Sequence, residues 1–263
     1  MLNTSIRTRI VEAIEQVYIN RRPLELLTKT YPDIGIEDAY RIQEEYVARK
    51  LASGSRLKGY KVGLTSKVMQ DLAGSKEPDF GALLDHMFLP EDTPLAFERF
   101  LTPMAEVEIA IVLKDHLQGP GVLPVDVVRA TDFVLPALEI VDFRVAAAPG
   151  MTIVDTVADL AGCGAVVLGA NPRRLDQLEL RTVNGKVSKN GTPIVAGQAS
   201  AVLGNPINSA AWLANKLAQF GVAFEPGQII LTGSFVRAFP VTCGDEIKCL
   251  FDQGLGELVA RFT

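Results

Sequence analysis

The spacing of the apolar residues changes near residue 55, and this change divides the chain into two differently built parts. Before it, apolar residues recur at helical spacing, the first of them being Ile10, Val11, Ile14 and Val17. A second helical pattern covers residues 36–52. Beyond it, short runs rich in β-branched residues alternate with Gly, Pro and Asp, which is typical of strands. We therefore predict one α+β domain over residues 1–263, with a helical layer (1–55) packed on a β-rich body (56–263).

One amphipathic helix is predicted within the β-rich body. Residues 208–220 place apolar side chains on one face, with Asn205-Pro206 just before them and Gly221 just after, which are helix start and stop signals. The segments that predict strands are KGYKVGLT, VEIAIVLK, VVRATDFVLPALEIVDFRV, CGAVVLGA, LELRTVNGKVSKNGTPI, GQIILTGSF and DEIKCLFDQGLGELVARF. No sequence repeat and no low-complexity tract interrupts them, so a solenoid or a disordered linker is not expected.

The composition argues against several classes of protein. Hydrophobic residues make up 48% and charged residues 22%, which suits a chain with a buried core. A net charge of −5 without any Lys/Arg run argues against nucleic-acid binding. The N-terminus is charged throughout and no apolar run reaches about 18 residues, so we expect neither a signal peptide nor a membrane span. The three cysteines form no CxxC pair, which favours a reducing cytoplasm over a disulfide framework or a zinc site.

The most informative local motif is Glu106-Val107-Glu108, which lies in the apolar segment MAEVEIAIVLK. The β-branched flanks predict a strand, where side chains two residues apart share a face, so both carboxylates should point the same way, roughly 6.5–7 Å apart along the strand. Such carboxylates repel each other unless a positive charge compensates, and a Mg²⁺-type ion with oxygen ligands would do so. The alternative is a solvated strand face with Val107 in the core. The residues alone leave both interpretations open.

Glu139 is a third carboxylate in an apolar run, FVLPALEIVDF. Asp142 follows three residues later, and in a regular strand these two side chains would lie on opposite faces. Glu139 has apolar neighbours on both sides. We therefore expect Glu139, rather than Asp142, to be buried beside Glu106 and Glu108.

Lys61 and Asp79 are polar residues in settings that invite two interpretations each. Lys61 stands alone in the apolar run GYKVGLT, and a buried lysine is costly unless it is paired or used. It is either a buried residue with a functional role or a strand-edge residue whose ammonium reaches solvent. Asp79 lies in the loop EPDFG. It is either a functional carboxylate or an ordinary turn residue, because aspartate is common in Pro/Gly turns.

The segment LTGSF, residues 231–235, follows the predicted strand QII. Gly233 lets the backbone approach a ligand closely, and the hydroxyls of Thr232 and Ser234 can bond a carboxylate. The alternative is a simple turn at the end of a strand. The sequence of this segment does not separate the two.

The chain resembles the 2-oxopent-4-enoate hydratase and 2-oxohept-4-ene-1,7-dioate hydratase group of the fumarylacetoacetate hydrolase superfamily. The resemblance runs nearly end to end, through YPDIGIEDAYRIQ, LKGYKVGLTSKVMQ, EPDFGALLDHMF, AEVEIAIVL, ATDFVLPALEIVD, VDTVAD, WLANKLA, GQIILTGSF and GLGELVARF. These segments stand in the family's order and at about its spacing. The resemblance implies a mixed β-roll body of the fumarylacetoacetate hydrolase C-terminal-domain type, with a helical N-terminal region.

The same resemblance implies roles for individual residues. The implied ligands of Mg²⁺ or Mn²⁺ are Glu106, Glu108 and Glu139. The implied catalytic residues are Lys61 and Asp79, with Asp79 activating water. The implied substrate-binding residues are Thr232, Gly233, Ser234 and Leu84.

The implied activity is that of a hydratase. It would add water to a 2-hydroxy-2,4-dienoate or 2-oxo-enoate and give a 4-hydroxy-2-oxo acid, in the breakdown of aromatic compounds. The expected partners are a small 2-oxo or 2-hydroxy acid and further copies of the chain, since relatives are homo-oligomers. Association with another enzyme of the pathway is also expected from the family.

Three positions depart from the family's pattern. Met104 stands where a basic residue often precedes the first metal-binding Glu, Leu160 where hydratases usually have Asn, and Asn205 where His often precedes Pro. Fewer cationic groups would favour a monocarboxylate substrate over a dicarboxylate. The alternatives are a 4-oxalocrotonate-type decarboxylase, an acylpyruvate-type C–C hydrolase and a catalytically inactive partner subunit. Asp79 favours hydration, because the decarboxylases tend to carry a different residue there.

Overall fold

A computed structural model of the protein describes residues 1–91 and 93–263, and it confirms the predicted α+β architecture. The helices of this part are α1 (Thr4–Asn20), α2 (Leu27–Thr30), α3 (Ile36–Ala52), α4 (Lys67–Leu72), α5 (Pro124–Ala130), α6 (Ile153–Ala158) and α7 (Pro206–Ala218). The strands are β1 (Leu57–Gly63), β2 (Asp79–Leu84), β3 (Phe88–Leu89), β4 (Met104–Leu113), β5 (Thr131–Val141), β6 (Cys163–Leu168), β7 (Asn184–Lys189), β8 (Thr192–Gln198), β9 (Ile229–Leu231), β10 (Phe239–Pro240), β11 (Glu246–Phe251) and β12 (Gly256–Arg261). The first three helices precede every strand, as the change of spacing near residue 55 predicts.

The strands form a large mixed sheet and a smaller antiparallel one. The large sheet runs β2-β1-β9-β4-β5-β6-β3, and β10 also pairs with β4. Within it β1 pairs with β9 and β3 with β6 in parallel, whereas the other pairs are antiparallel. The small sheet runs β12-β11-β7-β8. Strands β4 and β5 therefore lie at the centre of the large sheet.

The two faces of β4 have different neighbours, which explains the acidic–apolar–acidic pattern in its sequence. A Cβ added to Gly185 of β7 would lie 3.2 Å from Cγ1 of Val107, so Val107 faces the small sheet. Phe235 and Phe251 fill the same region, with ring centroids 6.1 Å apart. Because neighbouring residues of a strand alternate between faces, Glu106 and Glu108 point to the other side.

The helical layer packs on the sheet through its apolar stripe. The stripe residues of α1 predicted from spacing are all buried: Ile10, Val11, Ile14 and Val17. In α3 the buried Gln43 donates to the carbonyl oxygens of Phe80 (3.1 Å) and Val157 (2.8 Å) and accepts from the N–H of Ala82 (3.1 Å). This one amide therefore ties α3 to β2 and to α6.

The structure corrects several predicted element boundaries. Residues 127–130 lie in α5 instead of the long strand predicted there, because Pro124 starts a helix and Asp126 caps it by accepting from the N–H of Leu123. The short helices α4 and α6 were not predicted, since six residues give too little periodicity. Helix α7 begins at Pro206, two residues before the predicted start. In the part of the chain that the structure describes, no helix has the length and apolarity needed to cross a membrane.

A buried ion pair connects the segments that follow β5 and α6. The side chains of Arg144 and Asp159 are 2% and 0% exposed and bond each other directly, and Arg144 also donates to the carbonyl oxygens of Asp159 and Cys163. We expect Asp159→Asn to lower the free energy of unfolding by about 3–5 kcal/mol, because it leaves the Arg144 charge buried without its partner. Urea unfolding measures this change. The control Glu246→Gln, which removes an exposed partner of Arg261, should change little, and an equal effect of both would contradict the prediction.

Candidate metal centre and catalytic residues

The pairing of β4 with β5 brings three carboxylates together. Glu106 lies directly opposite Glu139 in the antiparallel register, and Glu108 lies two residues further on the same face of β4. One carboxylate oxygen from each of the three lies within 4.8 Å of the others. We call Glu106, Glu108 and Glu139 the carboxylate cluster. Asp142 lies outside it and accepts hydrogen bonds from the N–H groups of Leu101 and Thr102.

The carboxylate cluster has more negative charge than the protein around it compensates. Glu108 and Glu139 are fully buried, yet Oε1 of Glu108 and Oε2 of Glu139 have no hydrogen-bond partner, and Oε1 of Glu139 has only the ammonium of Lys61 near it. Burial, reinforced by the charge of Glu139, raises the pKa of Glu106 to about 7 and raises that of Glu108 well above its ordinary value. Buried carboxylate oxygens that converge with too few donors to satisfy them suit a hard divalent cation. The residues therefore fit Mg²⁺ or Mn²⁺.

Among the described residues, Lys61 brings a positive charge into direct contact with the carboxylate cluster. Strand β1 is three strand spacings from β5, about 14 Å in a flat sheet. Nevertheless Nζ of Lys61 lies 3.0 Å from Oε1 of Glu139, so the sheet curls and brings its concave face together. Lys61 is 3% exposed, which rules out the interpretation that its ammonium reaches solvent. Burial alone would lower the pKa of Lys61, but Glu139, Glu106 and Asp79 together raise it above its ordinary value.

Asp79 begins β2 and lies opposite Gly63 of β1. Its Oδ2 accepts a hydrogen bond of 2.9 Å from the hydroxyl of Thr156, and its buried Oδ1 has no partner. Burial raises the pKa of Asp79, while Lys61 and the Thr156 hydroxyl act in the opposite direction. The arrangement leaves one oxygen of a buried carboxylate free to take a proton.

Gly63 leaves the space that the Asp79 carboxylate occupies. A Cβ at Gly63 would lie 2.2 Å from Oδ1 of Asp79 and 3.7 Å from Nζ of Lys61. We expect Gly63→Ala to displace the carboxylate and to lower turnover at least about tenfold, since misplacing a catalytic group by an ångström can cost about a hundredfold. Turnover is measured beside Gly35→Ala, whose new Cβ meets nothing within 4 Å. Equal turnover by Gly63→Ala and Gly35→Ala would show that turnover does not depend on the position of the Asp79 carboxylate.

The segment after β9 contacts the carboxylate cluster through its backbone. The N–H of Gly233 donates to Oε2 of Glu108 at 2.8 Å, and Gly233 has φ +108°, a conformation that favours glycine. The hydroxyl of Thr232 donates to the carbonyl of Ile109, and that of Ser234 can donate either to the carbonyl of Val236 at 2.8 Å or to that of Val107 at 3.2 Å. Both hydroxyls therefore hold the loop, which sequence reasoning did not anticipate. Their substrate contacts stay predictions.

Leu84 lies at the other end of β2 from Asp79 and is fully buried. It is five residues from Asp79, so in a regular strand the two side chains face opposite sides of the sheet. The contact of Leu84 with substrate likewise stays a prediction. By contrast, sequence reasoning missed Thr156 as a partner of Asp79, although it lies in the segment VDTVAD that carries part of the family resemblance.

The structure gives two of the departures from the family pattern a local explanation. Asn205 is the N-cap of α7, because its side chain accepts from the N–H of Ile207 at 3.0 Å. Leu160 is buried in a left-handed turn (φ +53°), and its carbonyl oxygen lies 2.0 Å from where a Cβ of Gly81 would stand. Met104 starts β4 opposite Val141. None of the three is a member of the carboxylate cluster.

Comparison with known proteins finds close relatives over the whole chain. The chain is 41% identical over 268 residues to the 2-oxo-hept-4-ene-1,7-dioate hydratase of Escherichia coli, which covers 100% of both proteins. It is 40% identical over 257 residues to the 2-hydroxyhexa-2,4-dienoate hydratase of Comamonas testosteroni, covering 97% of this chain and 95% of that one. A scan against protein-family models finds no match.

Among solved structures, the 4-oxalocrotonate decarboxylase from Pseudomonas putida G7, complexed with magnesium and adipate, is strongly similar. The TM-score is 0.96 at 34% sequence identity, and the match covers 100% of this chain and 99% of the decarboxylase chain. The fold is therefore shared with both hydratases and decarboxylases by descent. The residues of the site, rather than the fold, must distinguish the two activities.

Proposed function

Since the chain belongs to the 2-oxopent-4-enoate and 2-oxohept-4-ene-1,7-dioate hydratase group of the fumarylacetoacetate hydrolase superfamily, we propose that it is a divalent-metal-dependent hydratase. Its substrate is a 2-hydroxy-2,4-dienoate or the corresponding 2-oxo-enoate, and its product is a 4-hydroxy-2-oxo acid. Such compounds arise in the breakdown of aromatic compounds. The observation that carries the proposal is the carboxylate cluster beside Lys61, with the free oxygen of Asp79 on the neighbouring strand.

In this proposal Glu106, Glu108 and Glu139 hold Mg²⁺ or Mn²⁺. When bound, the ion supplies a Lewis acid that stabilises negative charge on the 2-oxygen of the substrate. Gly233 orients Glu108 through its N–H, and Lys61 compensates the charge of Glu139. The backbone of the loop after β9 borders the same space and can approach a carboxylate group of the substrate closely.

The proton transfers fall to Asp79 and Lys61. Asp79 takes a proton from the water that adds to the carbon conjugated with the 2-oxo group, because its Oδ1 is buried, has no partner and belongs to a carboxylate. Lys61 is a charged donor at the concave face of the sheet, where the dienol exchanges a proton with its 2-oxo tautomer. Burial of both groups excludes bulk water from the proton path.

The second candidate activity is decarboxylation of a 4-oxalocrotonate-type acid, and the specific observation in its favour is the decarboxylase structure that matches with a TM-score of 0.96. Asp79 favours hydration, as the sequence comparison of the two groups implies. An acylpyruvate-type hydrolase or an inactive partner subunit would leave the same carboxylate cluster in place. These activities therefore have to be distinguished by identifying the reaction products.

The test follows the products formed from 2-hydroxypenta-2,4-dienoate, from 4-oxalocrotonate and from an acylpyruvate, each in the presence of Mg²⁺. We expect loss of the dienol absorbance and formation of a 4-hydroxy-2-oxo acid. Release of CO₂ from 4-oxalocrotonate without hydration would assign the decarboxylase activity. Direct appearance of pyruvate from an acylpyruvate would assign the hydrolase. No turnover of any of these, with normal Mg²⁺ binding, would leave the inactive partner subunit.

The proposal includes a homo-oligomer. The N-terminal helices expose large apolar side chains, with Ile19 at 71%, Leu51 at 41% and Ile36 at 40% of their surface, and contact with another subunit would cover them. Sedimentation equilibrium determines the number of subunits.

A further inference from the structure

We propose that Thr156 is a positioning residue of the hydration step, whose hydroxyl fixes Asp79 so that Oδ1 is the oxygen that takes the proton from water. This inference rests on the proposed function and deepens it, because it assigns the reacting atom. Thr156 does not touch the reacting atoms in this scheme and acts only through Asp79.

The hydroxyl of Thr156 lies between two acceptors. Its Oγ1 is 2.9 Å from Oδ2 of Asp79 and 3.1 Å from the carbonyl oxygen of Ile153. A hydroxyl has one proton to donate, so it can serve only one of these acceptors well at a time. The charged oxygen is the stronger acceptor, and while Asp79 is a carboxylate the proton belongs on the Asp79 side.

The second acceptor matters once the reaction has neutralised Asp79. In the hydration step an O–H bond of water breaks and its proton goes to Oδ1, while the water oxygen bonds to the substrate carbon. The electron pair of the C=C bond moves into the conjugated 2-oxo group. Oδ2 is then a weaker acceptor, and the Thr156 proton can turn to the carbonyl of Ile153. The Thr156 hydroxyl thus has an acceptor both when Asp79 is charged and when it is protonated. In neither state is this half-buried donor left without a hydrogen bond.

The spacing of Thr156 and Asp79 is fixed by the surrounding structure. The amide nitrogen of Gln43 bonds the carbonyls of Phe80 and Val157, which directly follow Asp79 and Thr156 in the chain. Gln43 is 4% exposed, so water competes little for these bonds. Donor and acceptor therefore lie on two backbones, β2 and α6, that one buried side chain holds together.

The test compares Thr156→Val, which removes the hydroxyl at similar volume, with Thr156→Ser, which keeps it. We expect Thr156→Val to lower kcat by about 10- to 100-fold, the size expected for losing one hydrogen bond to a charged group, with KM changed less than about threefold. Thr156→Ser should restore kcat to within about threefold of the wild type. If Thr156→Val fails to fold, Thr156→Ala carries the same expectations.

Thr28→Val is the matched control. Thr28 is also half-buried, and its hydroxyl donates to Oδ2 of Asp155 in α6 at 2.9 Å. Thr28→Val therefore removes a Thr–Asp hydrogen bond from α6 without touching Asp79, and kcat should stay at the wild-type value. In the Asp79→Asn background, Thr156→Val should have no further effect on kcat, because it acts only through the missing carboxylate.

Additive losses in the double variant, or a kcat of Thr156→Val equal to that of the wild type, would overturn the inference. A loss in Thr28→Val equal to that in Thr156→Val would also overturn it, since the effect would then be one of α6 stability. Failure of the proposed function itself is distinguishable, because the wild-type protein would then not hydrate any of the dienoates.

Discussion

Replacing Glu108 by Gln is expected to abolish Mg²⁺-dependent hydration while leaving the metal-free protein at least as stable as the wild type. Glu108 is fully buried, and its Oε1 has no donor among the described residues. An amide removes one of three converging negative charges and can donate its N–H to a neighbouring carboxylate. The same change removes a ligand that a hard divalent cation requires. Metal-free stability and metal-dependent activity should therefore change in opposite directions.

The size of both effects can be measured. Mg²⁺ at 100 times its Kd should stabilise the wild type by about 2.7 kcal/mol, and this stabilisation should vanish in Glu108→Gln. Turnover should fall by at least about a thousandfold, because Lewis-acid stabilisation contributes several kcal/mol. Glu257→Gln, on an exposed carboxylate of β12 that pairs with Lys248, should keep both properties. Full Mg²⁺-dependent activity in Glu108→Gln would rule out the metal assignment.

Asp79→Asn is expected to produce the second large loss of turnover, but without the loss of Mg²⁺ binding expected for Glu108→Gln. The amide keeps the shape of the side chain and can still accept the Thr156 hydroxyl, but it cannot take a proton from water. We expect kcat to fall by about 10²- to 10⁴-fold, the usual contribution of a general base. Stabilisation by Mg²⁺ should persist, because Asp79 is not a member of the carboxylate cluster.

Measuring both kcat and the stabilisation by Mg²⁺ distinguishes a proton acceptor from a metal ligand. Asp71→Asn, on an exposed carboxylate of α4 that pairs with Lys67, serves as the control and should leave kcat unchanged. Loss of Mg²⁺-induced stabilisation in Asp79→Asn would place Asp79 among the metal ligands. Unchanged kcat would remove it from the proton path and direct attention to Lys61 as the acid/base group.

Several features of the site follow from local periodicity and were predictable. Side chains in a strand alternate, so an apolar run with Glu at positions 106 and 108 must put both carboxylates on one face. Lys61 in an apolar run was recognisable as a residue with a role, since an unpaired buried ammonium is costly. What periodicity could not choose was the role itself, because solvent exposure and ion pairing both depend on distant segments.

The polar framework around Asp79 was not predictable from local pattern. Thr156 and Gln43 are ordinary residues in their own helices, and they gain importance only because α3, α6 and β2 meet. Likewise Thr232 and Ser234 suggested ligand contacts by residue type, whereas the structure directs their hydroxyls to backbone carbonyls. A hydroxyl bonds whichever acceptor the fold brings near, and sequence does not contain that information.

The sequence by itself determined the order of helical layer and β-rich body, the shared face of Glu106 and Glu108, and the family to which the chain belongs. Those properties depend on residue spacing and motif order, which are local. Only the tertiary structure decided that Glu139 lies opposite Glu106 and that Lys61 reaches Glu139 across three strand spacings. The reason is physical: strand register and sheet curvature are set by contacts between segments far apart in the chain.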